Sequence, residues 1–165
     1  MSEFKPLDPT ACGLFLVAVV SFPLAIVNLI DGQIGPSSDF FTIIGALILV
    51  VALLAYRAES NFGFTVFTLV GAAVLLTGLG IGPWEDIAFT LTFLLAIIWS
   101  LNVKAPKALT IICFTTALVF LTVGLSGIVG GDYWHWLIGI AALLNFIFNI
   151  YLSFALAMDG KIKVF

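Results

Sequence analysis

Along the chain, long apolar runs alternate with short polar breaks. The breaks read DGQIGPSSD, RAESN, GPWED, NVKAPK and GIVGGDYWH, and each is rich in the Gly, Pro, Asn, Asp and Ser that punctuate helices. The runs between them predict helices at roughly 10 to 30, 40 to 56, 63 to 81, 87 to 102, 107 to 126 and 134 to 157. Crossing the hydrocarbon core of a bilayer takes about 20 mostly apolar residues. The pattern therefore predicts an all-α integral membrane protein, a bundle of six transmembrane helices forming one domain over residues 1 to 165. The first run opens on "DPTACGLFLV", where Asp8 suits a helix N-cap and Pro9 the first helical turn.

Composition sharpens the membrane reading. The chain is 62% hydrophobic and 9% charged, with a mean hydropathy of +1.26, where soluble domains are about 25% charged. The first segment lacks a basic leader and a small-residue cleavage site, so it is expected to be a retained helix and not a signal peptide. A net charge of −3 with few, scattered basic residues gives no nucleic-acid surface. Cys12 and Cys113 are too few for a disulfide scaffold and read as small buried thiols inside or just at helix ends.

Six crossings put the N-terminus, the second and fourth loops and the C-terminus on one side. That side holds all six basic residues, Lys5, Arg57, Lys104, Lys107, Lys161 and Lys163. The other holds Asp31, Asp39, Glu85, Asp86 and Asp132 and no Lys or Arg. The positive-inside rule then predicts that both termini are cytoplasmic, in a cell membrane. Trp84, Tyr133, Trp134 and Trp136 form an outer aromatic belt, with Tyr56 and Trp99 toward the inner face.

No Asp, Glu, Lys, Arg or His falls near the middle of a predicted span. Proton relays, counter-ions and voltage sensors need such residues, a Schiff-base cofactor needs a buried lysine, and a metal needs more than one histidine and two scattered cysteines. No cofactor or metal is expected, and an enzyme's nucleophile-and-base arrangement is missing. What remains is neutral polar stripes. Leu14, Ala18, Ser21, Ala25 and Asn28 share a face of the first helix, beside Pro23. The third helix offers Thr65, Thr68 and Gly78; the fifth Thr115, Thr116, Thr122 and Ser126; the sixth Asn145, Asn149 and Ser153. Such residues also serve as packing contacts between membrane helices, but four striped helices together fit a narrow pore, with Ser21, Asn28, Thr65, Thr68, Asn145 and Asn149 as its candidate polar lining. His135, in the outer loop, reads as an interfacial structural residue.

The segments DPTACGLFL and SNFGFTVFTLVG, read together, resemble the two motifs of the acetate uptake transporter family, the succinate/acetate permease type. Pro9, Gly13 and Leu14 match the first motif, Asn-Pro-x-Pro-x-Gly-Leu. Phe62, Gly63, Thr65, Phe67, Thr68 and the following Gly71 match the second. The resemblance extends over nearly the whole chain in helix order and basic-loop placement. It implies a six-helix protomer with its own pore, assembled as a homohexamer, that passes acetate and similar small monocarboxylates with protons. It also implies a hydrophobic constriction from helices 1, 3 and 5, which falls at Val17, Val70 and Thr116. Family members commonly carry a bulky aromatic at the first two of these positions, where this chain has valines. Ala11 replaces the second proline of the opening motif, and Asp8 replaces its asparagine.

The entrance residues Asp8, Pro9 and Gly13 bear on the permeant species. An Asn cap leaves the positive helix end open to an anion, whereas an Asp cap neutralises much of that attraction. The permeant is therefore expected to cross with protons or as the undissociated acid. Two other readings stay open on the residues alone: a urea or short-amide channel, and a non-transporting membrane scaffold or subunit.

Overall fold

The structure is a computed structural model that describes residues 8–30, 35–158 and 161–165. Among these residues all regular structure is helical: α1 (Thr10–Leu29), α2 (Ser38–Arg57), α3 (Asn61–Gly78), α4 (Pro83–Asn102), α5 (Lys107–Val129) and α6 (Tyr133–Ala157). All six are long and apolar enough to cross a membrane, as the sequence predicts. Lys5 and Asp31, two of the charges used to orient the chain, lie outside the described residues.

Where helix ends differ from the sequence expectation, local chemistry explains it. The Ser37 hydroxyl accepts the Phe40 N–H at 3.2 Å, so α2 begins two residues early. α4 begins at Pro83 and not at 87, because Gly82 is extended and proline's fixed φ suits the first helical turn. That shift draws Glu85 and Asp86 into the helix. α5 runs on to Val129 and stops at Gly130, whose φ of +72° a side chain would resist. The start of α1 is also corrected. Pro9, not Asp8, is the cap residue, its carbonyl accepting the Gly13 N–H at 3.0 Å. Asp8 lies one residue outside, and its Oδ1 accepts from the N–H and the hydroxyl of Thr10. Cys12, in the same turn, is exposed and not buried as expected, whereas Cys113 is buried.

Each helix packs against its neighbours in sequence, and α6 closes back on α1, so the bundle is a ring. Inside lipid no hydrophobic force drives helices together, and close seams depend on small residues. The α2–α3 seam shows this. A Cβ on Gly45 would lie 2.3 Å from the backbone nitrogen of Leu75, and one on Gly78 would lie 2.5 Å from that of Thr42. The outward faces of α2 and α4 expose Ile43, Leu47, Val50 and Leu53, and Leu91, Leu95, Ile98 and Leu101, as lipid-facing surfaces require.

The starts of α1, α3 and α5 share one end of the ring, with Arg57, Lys104 and Lys107 in the adjoining turns. The C-terminal residues return to this end: Phe165 gives its carbonyl to the Ala108 N–H at 3.0 Å, and the Tyr151 hydroxyl donates to the Lys163 carbonyl. The starts of α2, α4 and α6 are at the opposite end, with Asp39, Glu85, Asp86 and Asp132. These are called the basic and acidic ends below.

Candidate permeation pathway

Two apolar cavities lie inside the ring. One, of about 110 Å³, opens toward the acidic end between Leu24, Phe41, Val74, Thr77, Asp86 and Val123. The other, of about 70 Å³, opens toward the basic end between Thr10, Leu14, Ser60, Phe62, Gly63 and Leu109. Each exceeds the roughly 10–15 Å³ that one water requires. Three residues line both: Val17 of α1, Val70 of α3 and Thr116 of α5. They stand between the two cavities, at a level called the waist below, and all three are buried. These are the positions at which the family resemblance puts a constriction.

Helical periodicity explains the lining. On α3 the inward residues are Gly63, Val66, Phe67, Val70, Val74 and Thr77, a three- and four-residue repeat. Thr65 and Thr68 fall outside that repeat and line neither cavity. Their hydroxyls bond to Asn61 O (3.1 Å) and Phe64 O (2.7 Å) of their own helix, which corrects their assignment to the pore. Asn28 is also corrected. It lies beyond the cavity at the acidic end, where its Nδ2 donates to Leu24 O (2.8 Å) and its Oδ1 faces His135 Nδ1 at 3.0 Å. With Asp132 and Trp136 these two residues line a separate surface recess.

Ser21, Asn145 and Asn149 are brought together. Asn145 is 2% exposed and sits at the centre of a network joining three helices. Its Nδ2 donates to the hydroxyls of Thr115 (3.0 Å) and Thr116 (2.7 Å) on α5. Its Oδ1 accepts from the Ser21 hydroxyl on α1 (2.8 Å) and from Asn149 Nδ2 (2.9 Å). The network backs directly onto the waist, because Thr116 belongs to both.

Of the entrance residues, Gly13 has a steric role. A Cβ there would lie 2.4 Å from Cε1 of Phe67, so the missing side chain lets the Phe67 ring pass beside α1. Pro9 and the exposed Asp8 shape the start of α1 and line neither cavity.

Two features were not anticipated from the sequence. Phe67, Phe93 and Phe120 line the cavities one turn or more from the waist, with Phe93 and Phe120 stacked at 5.7 Å and 9°. The aromatic bulk absent at Val17 and Val70 is thus present on neighbouring turns. Phe67 could have been found three residues before Val70, and Phe120 four after Thr116. Asp86, 6% exposed, lines the cavity at the acidic end. The Gly82-Pro83 pair, a helix start, was its signal.

No protein-family profile matches the chain, and no curated protein sequence matches it. Among solved structures the chain is similar to the one described as the structure of the bacterial acetate channel SatP. The TM-score is 0.83 and the identity 17%, covering 96% of this chain and 99% of that one. The chain has the fold of that channel: a multi-pass integral membrane protein of six helices.

Proposed function

We propose that this chain is a channel or transporter for acetate and similar small monocarboxylates, passing them with protons or as the undissociated acid. One observation carries the reading. Two apolar cavities, one toward each end, share Val17, Val70 and Thr116 in their linings, inside a closed ring of six helices. The likeness to the acetate channel SatP supports it. In this reading the three waist residues form the constriction, and Ser21, Asn145 and Asn149 supply the polar groups behind it. The single six-helix domain works in a cell membrane with both termini cytoplasmic, as a homohexamer whose protomers each hold a pore. The protein is a transport protein and not an enzyme.

The apolar walls suit the substrate's methyl group, and the few fixed polar groups suit its carboxyl. No buried base or acid is needed for proton coupling if the acid carries its own proton. A second reading, a urea or short-amide channel, is favoured by one group: Asn149 Oδ1 is an unpaired acceptor in the cavity on the basic side, and an amide N–H suits it as well as an acid O–H.

The deciding experiment is uptake of radiolabelled acetate into proteoliposomes, with and without an inward proton gradient, against empty liposomes and with excess urea. Protein-dependent uptake that rises with the gradient and ignores urea is expected. Absence of uptake above empty liposomes, for folded protein, would sink the monocarboxylate reading.

A further inference from the structure

Among the described residues, one fully buried side-chain polar atom has no hydrogen-bond partner: Oδ1 of Asn149. Asn149 is 0% exposed and lines the cavity on the basic side of the waist. Buried acceptors are rarely left unmet, and an exception in a cavity points to something that occupies it. The amide orientation is set by the surroundings. Nδ2 donates to the Asn145 carbonyl at 2.8 Å and to Asn145 Oδ1 at 2.9 Å. Turning the amide over would set an oxygen against two acceptors, so the unpaired atom is the oxygen.

Free hydrogen-bond donors beside the waist are few. The hydroxyl of Thr116 is committed to Ile112 O (2.8 Å), that of Ser21 to Val17 O (2.9 Å) and Asn145 Oδ1, and that of Thr77 to Ala73 O (2.9 Å). Both Nδ2 hydrogens of Asn145 are taken by threonine oxygens. Beyond these the cavity on the basic side offers the Cys113 thiol, a weak donor, and, at its mouth, the Ser60 hydroxyl and the uncapped N–H groups at the start of α3, while the Thr10 hydroxyl is committed to Asp8. A carboxylate anion is stabilised only by donors, and near the waist it finds almost none. A molecule that itself donates finds Asn149 Oδ1.

We propose that Asn149 Oδ1 is the specificity-determining acceptor of the pathway: it takes a hydrogen bond from the O–H of an undissociated acid and gives a carboxylate nothing. This inference rests on the monocarboxylate reading and names the form in which the substrate passes. The acid keeps its proton through the waist, its O–H on Asn149 and its methyl group against Val17 and Val70. Proton movement with the substrate then requires no titrating side chain in the membrane.

The test compares two competitors of nearly the same shape. Acetamide and acetone both resemble acetic acid in size and both accept through a carbonyl, but only acetamide donates. Each is titrated against radiolabelled acetate uptake in proteoliposomes of the wild-type protein, Asn149→Leu and Thr115→Val. Thr115 belongs to the same network and lines neither cavity, so it controls for loss of network bonds. In the wild type acetamide should inhibit at a concentration roughly tenfold lower than acetone, the scale of one buried hydrogen bond left unmade. Asn149→Leu should lose that preference and Thr115→Val should keep it. Equal inhibition by the two competitors in the wild type, or an unchanged preference in Asn149→Leu, overturns the inference. If Asn149→Leu does not fold, the wild-type comparison decides alone. Lack of protein-dependent acetate uptake in the wild type overturns the monocarboxylate reading instead.

Discussion

Replacing Asn145 by Leu removes the centre of the buried network while roughly keeping side-chain shape. The bonds at stake between helices are those from Ser21 on α1 (2.8 Å) and to Thr115 (3.0 Å) and Thr116 (2.7 Å) on α5. Side-chain hydrogen bonds between membrane helices average about 0.6 kcal/mol, so three of them stabilise the bundle by roughly 2 kcal/mol. A larger loss is not expected, because each hydroxyl keeps a backbone acceptor. Ser21 retains Val17 O at 2.9 Å, and Thr115 and Thr116 retain Ile112 O at 3.1 and 2.8 Å. Asn149 Nδ2 likewise keeps the Asn145 carbonyl. The assay is reversible unfolding in mixed micelles at fixed protein concentration, followed by far-ultraviolet circular dichroism. A double-mutant cycle with Thr116→Val should return a coupling of about 0.6 kcal/mol. A loss below about 0.5 kcal/mol, or a gain in stability, would refute the idea that this network clasps α1, α5 and α6 behind the waist.

Other outcomes follow from single contacts. Val70→Phe and Val17→Phe put a ring between the two cavities, as the resembled family commonly has, and should lower acetate uptake about two- to fivefold without abolishing it or lowering helix content; uptake unchanged in both would mean that the pathway lies elsewhere. Gly45→Ala directs a methyl at the Leu75 backbone, 2.3 Å away, and should destabilise the fold by about 1–3 kcal/mol in the same unfolding assay. Asp8→Asn keeps a side-chain oxygen for the Thr10 N–H, so uptake should stay within about twofold of wild type. At fixed total acetate, lowering the external pH from about 7 to 6 should raise uptake about tenfold. Above a carboxylic acid's pKa, typically about 4 to 5, the undissociated fraction changes by that factor per pH unit; uptake that follows total acetate would show that the anion passes.

The helices were legible because the membrane imposes a coarse rule: apolar runs near 20 residues with polar breaks. The errors were at ends, where one or two residues decide. Pro83 reads as a loop residue beside Gly82 unless its fitness for a first helical turn is weighed, and missing it hid Asp86. The polar stripes were read residue by residue without knowing which way each helix faces. On α3 the apolar Val66, Val70 and Val74 face inward while Thr65 and Thr68 face away, the reverse of what polarity suggests. Thr65 and Thr68 reached their own backbone instead, the ordinary fate of a hydroxyl in a membrane helix. Asn145 and Asn149, expected from the sequence as polar lining of a pore, are both buried, and no sequence pattern says that one is fully bonded and the other keeps an open oxygen. That depends on distances of 2.7 to 3.0 Å between three helices.

The electrostatics of the two mouths bear on the same question as the open oxygen. Helix starts are natural anion sites, and each end of this ring gathers three of them. Most are already occupied by groups of the chain itself. Asp8 holds the first N–H of α1, and the Phe165 carbonyl holds the Ala108 N–H at the start of α5. At the other end Ser37 caps α2 with Asp39 in its first turn, and α4 carries Glu85 and the buried Asp86 in its own. At the acidic mouth an approaching carboxylate therefore meets like charge, whereas at the basic mouth Arg57, Lys104, Lys107 and the uncapped start of α3 attract it; beyond either mouth it meets apolar walls. A protonated acid loses no ionic hydration on entering those walls, since it has no charge to desolvate. The valines of the waist, the carboxylates at the acidic mouth and the unpaired oxygen of Asn149 all disfavour the anion by different physical means, and none of them disfavours the neutral acid.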